Sequence, residues 1–255
     1  MQSVNFPSPP HTFVKLQTLL NDADAGIADV AAVISADPGM SARVLKLANS
    51  AAYGTWGNVR RIEAIKDACA LIGIEGIRDL ALTTAVMDVL GQGDNTLDLR
   101  EFWRHSLWVA CLTVALGERG FVGTTSQNFV AGMLHDIGKL VFVLNDPMSP
   151  LHMSLDEERT RFGFDHAAAG AEMAREWNFS ASLVASLAGH HDGVVDAVHA
   201  PSAGLVREAE AISEWTWPDG RRSEVLPEDV TPGPALDHML QRARDLYRDS
   251  SAVIA

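Results

Sequence analysis

Cysteine is scarce in this sequence of 255 residues, which has only Cys69 and Cys111, both in apolar stretches with helical spacing. We interpret them as small core residues of a protein from a reducing compartment. The sequence also lacks an apolar run of the ~18 residues needed to cross a bilayer. Its first ten residues have neither the basic nor the apolar block of a signal peptide. We therefore expect a cytoplasmic protein that does not contact the membrane.

Basic residues are outnumbered as well, with 20 Lys and Arg against 33 Asp and Glu and a net charge of −13. A field of this sign repels polyanions, so general nucleic-acid binding is not expected. The stretch from Arg43 to Lys66 departs from this balance, because it holds five basic residues and a single acid, Glu63. We interpret this basic cluster as a solvated helix face, with a local anion or partner site as the alternative. Its basic members are Arg43, Lys46, Arg60, Arg61 and Lys66.

Alternating strand patterns, internal repeats and low-complexity tracts are not found, and almost every segment has helical periodicity. Hydrophobic residues make up 47% of the chain, enough for a sizeable core. Asp37-Pro38 is a helix start, and Gly73 closes a helix. The sequence predicts an all-α protein with a loop over 217–234, whereas 139–144 is too short to assign. Helices are predicted over 12–20, 27–36, 38–49, 61–72, 75–90, 99–119, 126–134, 153–161, 165–177, 180–190, 202–215 and 235–249.

Adjacent His135 and Asp136 follow an apolar helical run and are the strongest candidates for metal ligands. Neighbours in a regular helix point about 100° apart, so both side chains reach one ion only where the helix ends or distorts. Gly138 favours such an end, and Asp136 has the two oxygens needed to bridge two ions. The alternative is a histidine at a helix C-terminus beside a capping Asp. Lys139 follows one turn later, either to hold a phosphate and stabilise transition-state charge or as a solvated lysine.

Further candidate ligands lie on both sides of this pair. Glu101 and His105 share a helix face, as two ligands or as an exposed pair. His166 opens a helix, with Asp165 as a candidate N-cap. His190 and His191 end another helix, and an adjacent Asp repeats the arrangement at 135–136. Imidazole and carboxylate ligands suit one or two ions of Fe, Mn, Zn or Mg, and a pair of ions suits phosphoester hydrolysis.

The chain combines an Asp-Pro motif, a Leu-Ala-Asn-Ser motif and the His-Asp pair. In these motifs it resembles the HDOD family of bacterial signalling proteins, a variant of the HD superfamily of metal-dependent phosphohydrolases. The resemblance spans about residues 6–215 and is strongest at 34–40, 43–53, 62–65, 71–73, 102–106, 132–138, 162–166 and Trp177. It implies two packed helical parts, an N-terminal one over about 6–95 and an HD-like one over about 98–215. A loop and helix over 216–255 follow.

The resemblance also implies a set of site residues. Positions of the cyclic-dinucleotide phosphodiesterase branch match Glu101, His105, His135, Asp136, Lys139, His166, His190 and His191. The final ligand, usually Asp, corresponds to Glu210. The Gly-Tyr-Pro segment of that branch is missing, because the chain reads Asp192-Gly193-Val194-Val195 after His191. This departure puts specificity for cyclic dinucleotides in question.

The family implies a signalling module that acts mainly through a protein partner or a small ligand, often without catalysis, and that retains its metal site; this is the expected function. The alternative, which the near-complete ligand set implies, is a metal-dependent phosphodiesterase or phosphohydrolase that acts on a nucleotide, with Asp136 and Lys139 as catalytic residues. A metal-free purified protein would argue strongly against the enzyme, whereas two ions per chain would favour it, although a signalling module can also hold a structural metal.

Overall fold

The computed structural model describes residues 4–9, 11–20, 22, 24–49, 62–90, 96–146, 149–191, 193–227 and 230–251. Throughout this part of the chain the regular structure is helical, with one isolated β-bridge between Thr216 and Arg222. None of these helices is long and apolar enough to cross a membrane. The helices are α1 (His11–Leu20), α2 (Ile27–Ser35), α3 (Pro38–Ala48), α4 (Ile65–Leu90), α5 (Thr96–Gly120), α6 (Thr125–Leu134), α7 (Ile137–Asn145), α8 (Leu155–Phe162), α9 (His166–Glu176), α10 (Ala181–Gly189), α11 (Ala200–Trp215) and α12 (Pro234–Ser250).

Most helix boundaries lie within a few residues of those the sequence predicts. Asp37 starts α3 as expected, because its Oδ1 accepts the backbone N–H of Met40 at 3.0 Å. Gly73 has a φ of 82° and breaks α4 into two helical segments. The first of these begins at Ile65, so the predicted start at 61 is wrong. The unassigned run 139–144 belongs to α7.

Asn49 connects the end of α3 to the chain that precedes α4. Its amide accepts the N–H of Ile62 at 2.8 Å and donates to the carbonyl of Ile62 at 2.8 Å. A third bond, also 2.8 Å long, runs to the carbonyl of Leu45. Asn49 therefore has a structural role at this connection, whereas Ser50, Arg60 and Arg61 lie outside the described residues.

The long helix α5 forms the centre of the C-terminal half. Every residue from 106 to 116 is buried, as expected for a helix that is covered on all sides. Helices α6, α11 and α12 pack on it. Arg242 of α12 makes a two-pronged ion pair with Glu118, with N–O distances of 2.8 and 3.1 Å. Burial of α5 fixes the position of His105, which lies at the edge of this covered stretch.

Two glycines let the backbone approach closely on either side of the His135-Asp136 pair. A Cβ on Gly132 would lie 2.5 Å from Cα of Ala110 in α5, and one on Gly138 would lie 1.9 Å from the carbonyl oxygen of His166. Only glycine leaves room for these contacts. The short link between α6 and α7 is therefore held against both α5 and α9.

Candidate metal centre

Two of the predicted histidines lie at helix C-termini and are fixed in the same way. His135 caps α6 and His190 caps α10. Each ring donates its Nδ1 hydrogen to the carbonyl three residues earlier, Gly132 or Leu187, over 2.7 Å. In the neutral ring the lone pair is then on Nε2, which is the atom that both rings direct into the centre.

A buried carboxylate that sequence reasoning missed orients His166. This histidine begins α9, whose N-cap is Asp165 as expected, with Oδ1 accepting the N–H of Ala168 at 2.9 Å. Its Nδ1 lies 2.7 Å from Oε2 of Glu158, and the same oxygen accepts the backbone N–H of His166 at 2.7 Å. Glu158 is fully buried. Metal-binding histidines commonly donate their second nitrogen to such a carboxylate, which fixes the ring.

The side chains converge in two groups whose candidate ligand atoms lie within 4.8 Å of one another. Asp136 belongs to both groups, because its two oxygens face in different directions. Oδ1 lies 3.0 Å from Nε2 of His166, whereas Oδ2 lies 3.5 Å from Nε2 of His135. The inner group consists of Asp136, His166, His190 and His191; the outer group consists of His105, His135, Asp136 and Glu210.

Helix geometry explains how His135 and Asp136 both reach the centre. Helix α6 ends at Leu134, and Asp136 has φ −97° and ψ 7°, outside the helical range, before α7 begins at Ile137. This interruption changes the relative direction of the neighbouring side chains, as the sequence predicts.

The inner group has the contacts expected of cation ligands rather than of a hydrogen-bonded network. Nε2 of His166 lies 3.2 Å from Nε2 of His190 and 3.0 Å from Nε2 of His191. Glu158 and Leu187 hold the Nδ1 hydrogens of His166 and His190, so in the neutral rings lone pairs face each other. Nitrogens bound at about 2.1 Å to one ion and at right angles lie about 3 Å apart. A divalent cation fits this arrangement.

Buried atoms without partners support the same conclusion. Among the described residues, Nε2 of His135 and Oδ1 of Asp136 are buried and form no hydrogen bond of normal geometry, although Nε2 of His135 lies 3.2 Å from Oε2 of Glu210. Oδ1 lies 3.0 Å from Nε2 of His166, and in the neutral form of that ring the hydrogen is on the other nitrogen. Burial opposes the charged form of His166, but Asp136 raises the pKa of His166 in metal-free protein. Leaving such atoms unsatisfied costs about 1–3 kcal/mol each. The residues present therefore fit ions bound by nitrogen and oxygen.

The charges in the centre balance one another. Burial opposes the charged form of His135, but Asp136 and Glu210 outweigh it and raise the pKa of His135 to about 10. Burial also opposes the charged forms of both carboxyls, yet the pKa values of Asp136 and Glu210 are well below the usual range, chiefly because of His135. Burial, followed by the charges of His190 and His166, lowers the pKa of His191 to about 3.

Lys139 contacts the centre from one side. Its Nζ donates to Oδ2 of Asp136 over 2.6 Å, and its side chain is 19% exposed. Burial opposes the ammonium form, but Asp136 raises the pKa of Lys139. Lys139 is therefore a fixed positive charge that borders the centre and is still reachable from solvent.

Glu101 is the one predicted ligand that lies outside both groups. Its side chain is 63% exposed and pairs with Arg104 at 3.0 Å. The spacing places it on the same helix face as His105, but one turn earlier that face of α5 is turned to solvent.

The missed residue, Glu158, lies in the acidic run 156–158, which is typical of an exposed helix face. The one hint in the sequence is that Glu158 lies four residues before the apolar Phe162, so both side chains lie on the same helix face. Phe162 is buried, and so is Glu158.

The two groups differ in access. Three of the four inner side chains, those of Asp136, His166 and His190, are at most 2% exposed, and only His191 is partly exposed. In the outer group the side chain of His105 is 34% exposed and that of Glu210 is 12% exposed. Structural metal sites are closed, whereas catalytic ones have an open position, so the outer group is the one suited to a substrate.

Comparison with known proteins agrees with the fold. The structure of a "Putative phosphohydrolase" from Shewanella amazonensis is similar, with a TM-score of 0.71, 24% identity and coverage of 95% of this chain and 94% of that one. An "Uncharacterized protein" from Treponema pallidum is 25% identical over 204 residues, which are 74% of this chain. "Ribonuclease Y 1" from Pediococcus pentosaceus is 36% identical over 123 residues, or 48% of this chain. The chain spans only 38% and 19% of the lengths of these two curated relatives.

A family model decides the classification. The model of the HDOD domain matches residues 6–193, which include α1 to α10 and the whole inner group. The chain therefore belongs to the HDOD family, as the Asp-Pro, Leu-Ala-Asn-Ser and His-Asp motifs predicted.

Proposed function

We propose that this protein is a metal-dependent phosphohydrolase that cleaves a phosphoester at the outer group of the centre. The observation that supports the proposal is the sharing of Asp136 between two ligand groups, of which the outer one has two partly exposed side chains, His105 and Glu210. A pair of divalent ions in such groups polarises phosphoryl oxygens and makes water a nucleophile at neutral pH. The neighbour named as a phosphohydrolase has the same fold, and its name agrees with this activity.

Each residue of the centre has a definite part in this proposal. Asp136 would contribute to holding metal in both groups, because its two oxygens face different groups. Lys139 neutralises the oxygen nearer the outer group and, because it is partly exposed, also contacts a phosphoryl oxygen of the substrate. His105 and Glu210 hold the open side, and Glu158 orients His166.

The donor set narrows the choice of metal. Five imidazoles and two carboxylates make up the two groups. Imidazole suits Fe and Zn, whereas Mg prefers oxygen ligands and bound water. We propose two ions per chain and expect Fe or Zn ahead of Mn or Mg.

Metal analysis combined with a hydrolysis assay tests this proposal. Freshly purified protein should contain two ions per chain by mass spectrometry. Fe-, Mn- or Zn-loaded protein should hydrolyse at least one member of a panel of p-nitrophenyl phosphate, bis(p-nitrophenyl) phosphate and nucleotides. Asp136→Asn should lose both ions and all turnover, whereas His152→Ala, an exposed histidine outside the centre, should retain both. Two bound ions without turnover on the whole panel would refute hydrolysis.

A second candidate function is a signalling module in which the ions serve a structural role. The observation that favours it is the exposed apolar loop that follows His191. Val194 is 98% exposed and Val198 is 81% exposed. A contiguous exposed apolar patch marks a surface that binds another protein, and Val194 and Val198 would contribute to such a patch. The family resemblance implies such a protein partner.

The loop and the centre can be tested separately. If the protein signals through the loop alone, Val194→Asp should abolish the cellular response, and a folded, metal-free Asp136→Asn variant should retain it. Val225→Asp is the matched control, because Val225 is 77% exposed in a different loop. Loss of the response in the folded metal-free variant would count against a purely structural role for the ions.

A further inference from the structure

A large cavity borders the outer group of the metal centre. It has a volume of about 560 Å³ and lies between α5, α12 and the loop that follows α11. His105 forms part of its wall, as does Ser213, whose hydroxyl donates to the carbonyl of Glu210 over 2.8 Å. Small-molecule sites have volumes of about 300–1,000 Å³. The cavity is therefore large enough for a small ligand and adjoins two outer-group residues.

The loop that covers this cavity is well braced. The bridge between Thr216 and Arg222 closes it, and the N–H of Trp217 donates to the carbonyl of Arg221 over 3.0 Å. From beneath, Trp108 donates its indole N–H to the carbonyl of Thr216 over 2.8 Å. Trp217 remains 40% exposed, with the guanidinium of Arg221 5.7 Å from the centre of its ring. The loop therefore presents an aromatic face in a defined place.

The wall of the cavity is basic, although the chain as a whole is acidic. It contains four arginines and two carboxylates, in a chain with a net charge of −13. Three of the arginines have an acidic partner within 3.2 Å: Arg104 with Glu101, Arg221 with Asp219, and Arg248 with Asp245.

Arg244, the fourth arginine, makes no ion pair with the described residues. Its Nε is buried and has no hydrogen-bond partner. Burial and the positive charge of Arg222 lower the pKa of Arg244, and the carboxylates of Asp237 and Asp219 offset this only in part. The rest of the Arg244 side chain is partly exposed and lines the cavity. Unlike the other three arginines of the wall, Arg244 therefore offers the cavity a guanidinium that no carboxylate of the described residues pairs with.

We propose that this cavity binds a phosphorylated ligand with a flat aromatic ring, such as a nucleoside monophosphate unit, beside the outer metal group. Arg244 binds the phosphate, because a guanidinium matches phosphate oxygens with two parallel N–H groups. Trp217 and Tyr247 offer aromatic surfaces to the ring. This inference rests on the proposed function for the role of the ligand as a substrate, but binding itself can be measured without it.

A second cavity borders the inner group at His191 and does not have these properties. Its volume is about 540 Å³. Its two arginines are both paired, Arg159 with Asp165 at 2.7 Å and Arg175 with Glu172 at 2.7 Å. It therefore lacks the unpaired guanidinium that points to an anion in the first cavity.

Binding to metal-stripped protein tests the proposal independently of hydrolysis. The full chain is treated with EDTA and titrated in a calorimeter with AMP, GMP, CMP and UMP, and then with adenosine and inorganic phosphate. At least one nucleotide should bind ~10-fold or more tightly than either adenosine or phosphate. Arg244→Ala should weaken this binding ~10- to 100-fold, and Trp217→Ala should weaken it ~5- to 100-fold. Arg175→Ala and Phe121→Ala, an arginine and an exposed aromatic residue outside the cavity, should leave it unchanged.

The outcomes separate this inference from the proposed function. Nucleotide binding that depends on Arg244 and Trp217 supports the cavity even if the metal-loaded protein hydrolyses nothing. The inference is overturned if none of the four nucleotides binds, or if both alanine variants bind as tightly as the two controls. Should Arg244→Ala fail to fold, Arg244→Lys keeps the charge but loses the paired N–H groups, so it should bind with intermediate affinity. Unchanged affinity in both Arg244→Lys and Trp217→Ala would equally refute it.

Discussion

The substitution Glu158→Gln tests whether a carboxylate outside the ligand set tunes the inner group. In the wild-type chain, Oε2 of Glu158 lies 2.7 Å from both Nδ1 and the backbone nitrogen of His166. A glutamine oxygen in the same place can accept both hydrogens, so the position of the ring should be retained. The negative charge is lost, and with it the increase in basicity that a carboxylate gives a bound imidazole.

We expect the affinity of the inner group for a divalent ion to fall about 10- to 100-fold, which corresponds to about 1.4–2.7 kcal/mol. The outer group should change little, because His105, His135 and Glu210 do not contact Glu158. Competition with a chromophoric chelator measures the two affinities. Asp156→Asn on the same helix is the matched control, since its side chain is 95% exposed. Equal affinities in wild type, control and Glu158→Gln would refute the reasoning.

Three further predictions concern protons, packing and the ions themselves. The pKa of His135 is about 10, so this ring is protonated at pH 7 in metal-free protein and must lose its proton to bind an ion; metal binding should release protons and strengthen as the pH rises. The heat of binding should therefore depend on the ionisation enthalpy of the buffer, and identical heats in all buffers would contradict this. Gly138→Ala should destabilise the fold by about 1–3 kcal/mol in urea unfolding because its Cβ would meet His166, whereas Gly204→Ala, with open space around it, should not. Removing the ions with EDTA should lower the Tm of the wild type but not of Asp136→Asn.

The sequence was sufficient for most of the helices and for the His135-Asp136 pair, whereas Glu210 was indicated only by the family resemblance. Asp37 and Gly73 act through their own backbone and its nearest neighbours, so local rules place them correctly. His135 and His190 lie at helix C-termini, where the backbone carbonyl three residues earlier has no partner within the helix. Each histidine donates its Nδ1 hydrogen to that carbonyl. Local chemistry of this kind is visible in a single sequence.

The parts that could not be predicted depend on contacts between distant segments. Glu158 resembles its exposed neighbours in sequence, and only the packing of α8 against the start of α9 buries it. The cavity beside His105 combines α5 with a loop and a helix more than a hundred residues later. Glu101 has the spacing expected of a ligand beside His105, but its side chain is exposed to solvent. The exposure of a helix face depends on which other helices pack on it, and the sequence of one helix does not show this.

The unequal placement of the two ligand groups along the chain has a consequence for relatives of this protein. All four inner residues precede position 193, where the match to the family ends, whereas Glu210 follows it. A homologue that diverges after this point can thus lose an outer ligand without altering the inner four. Homologues with the same fold can therefore bind different numbers of metal ions. A homologue that binds one ion per chain need not have a damaged fold.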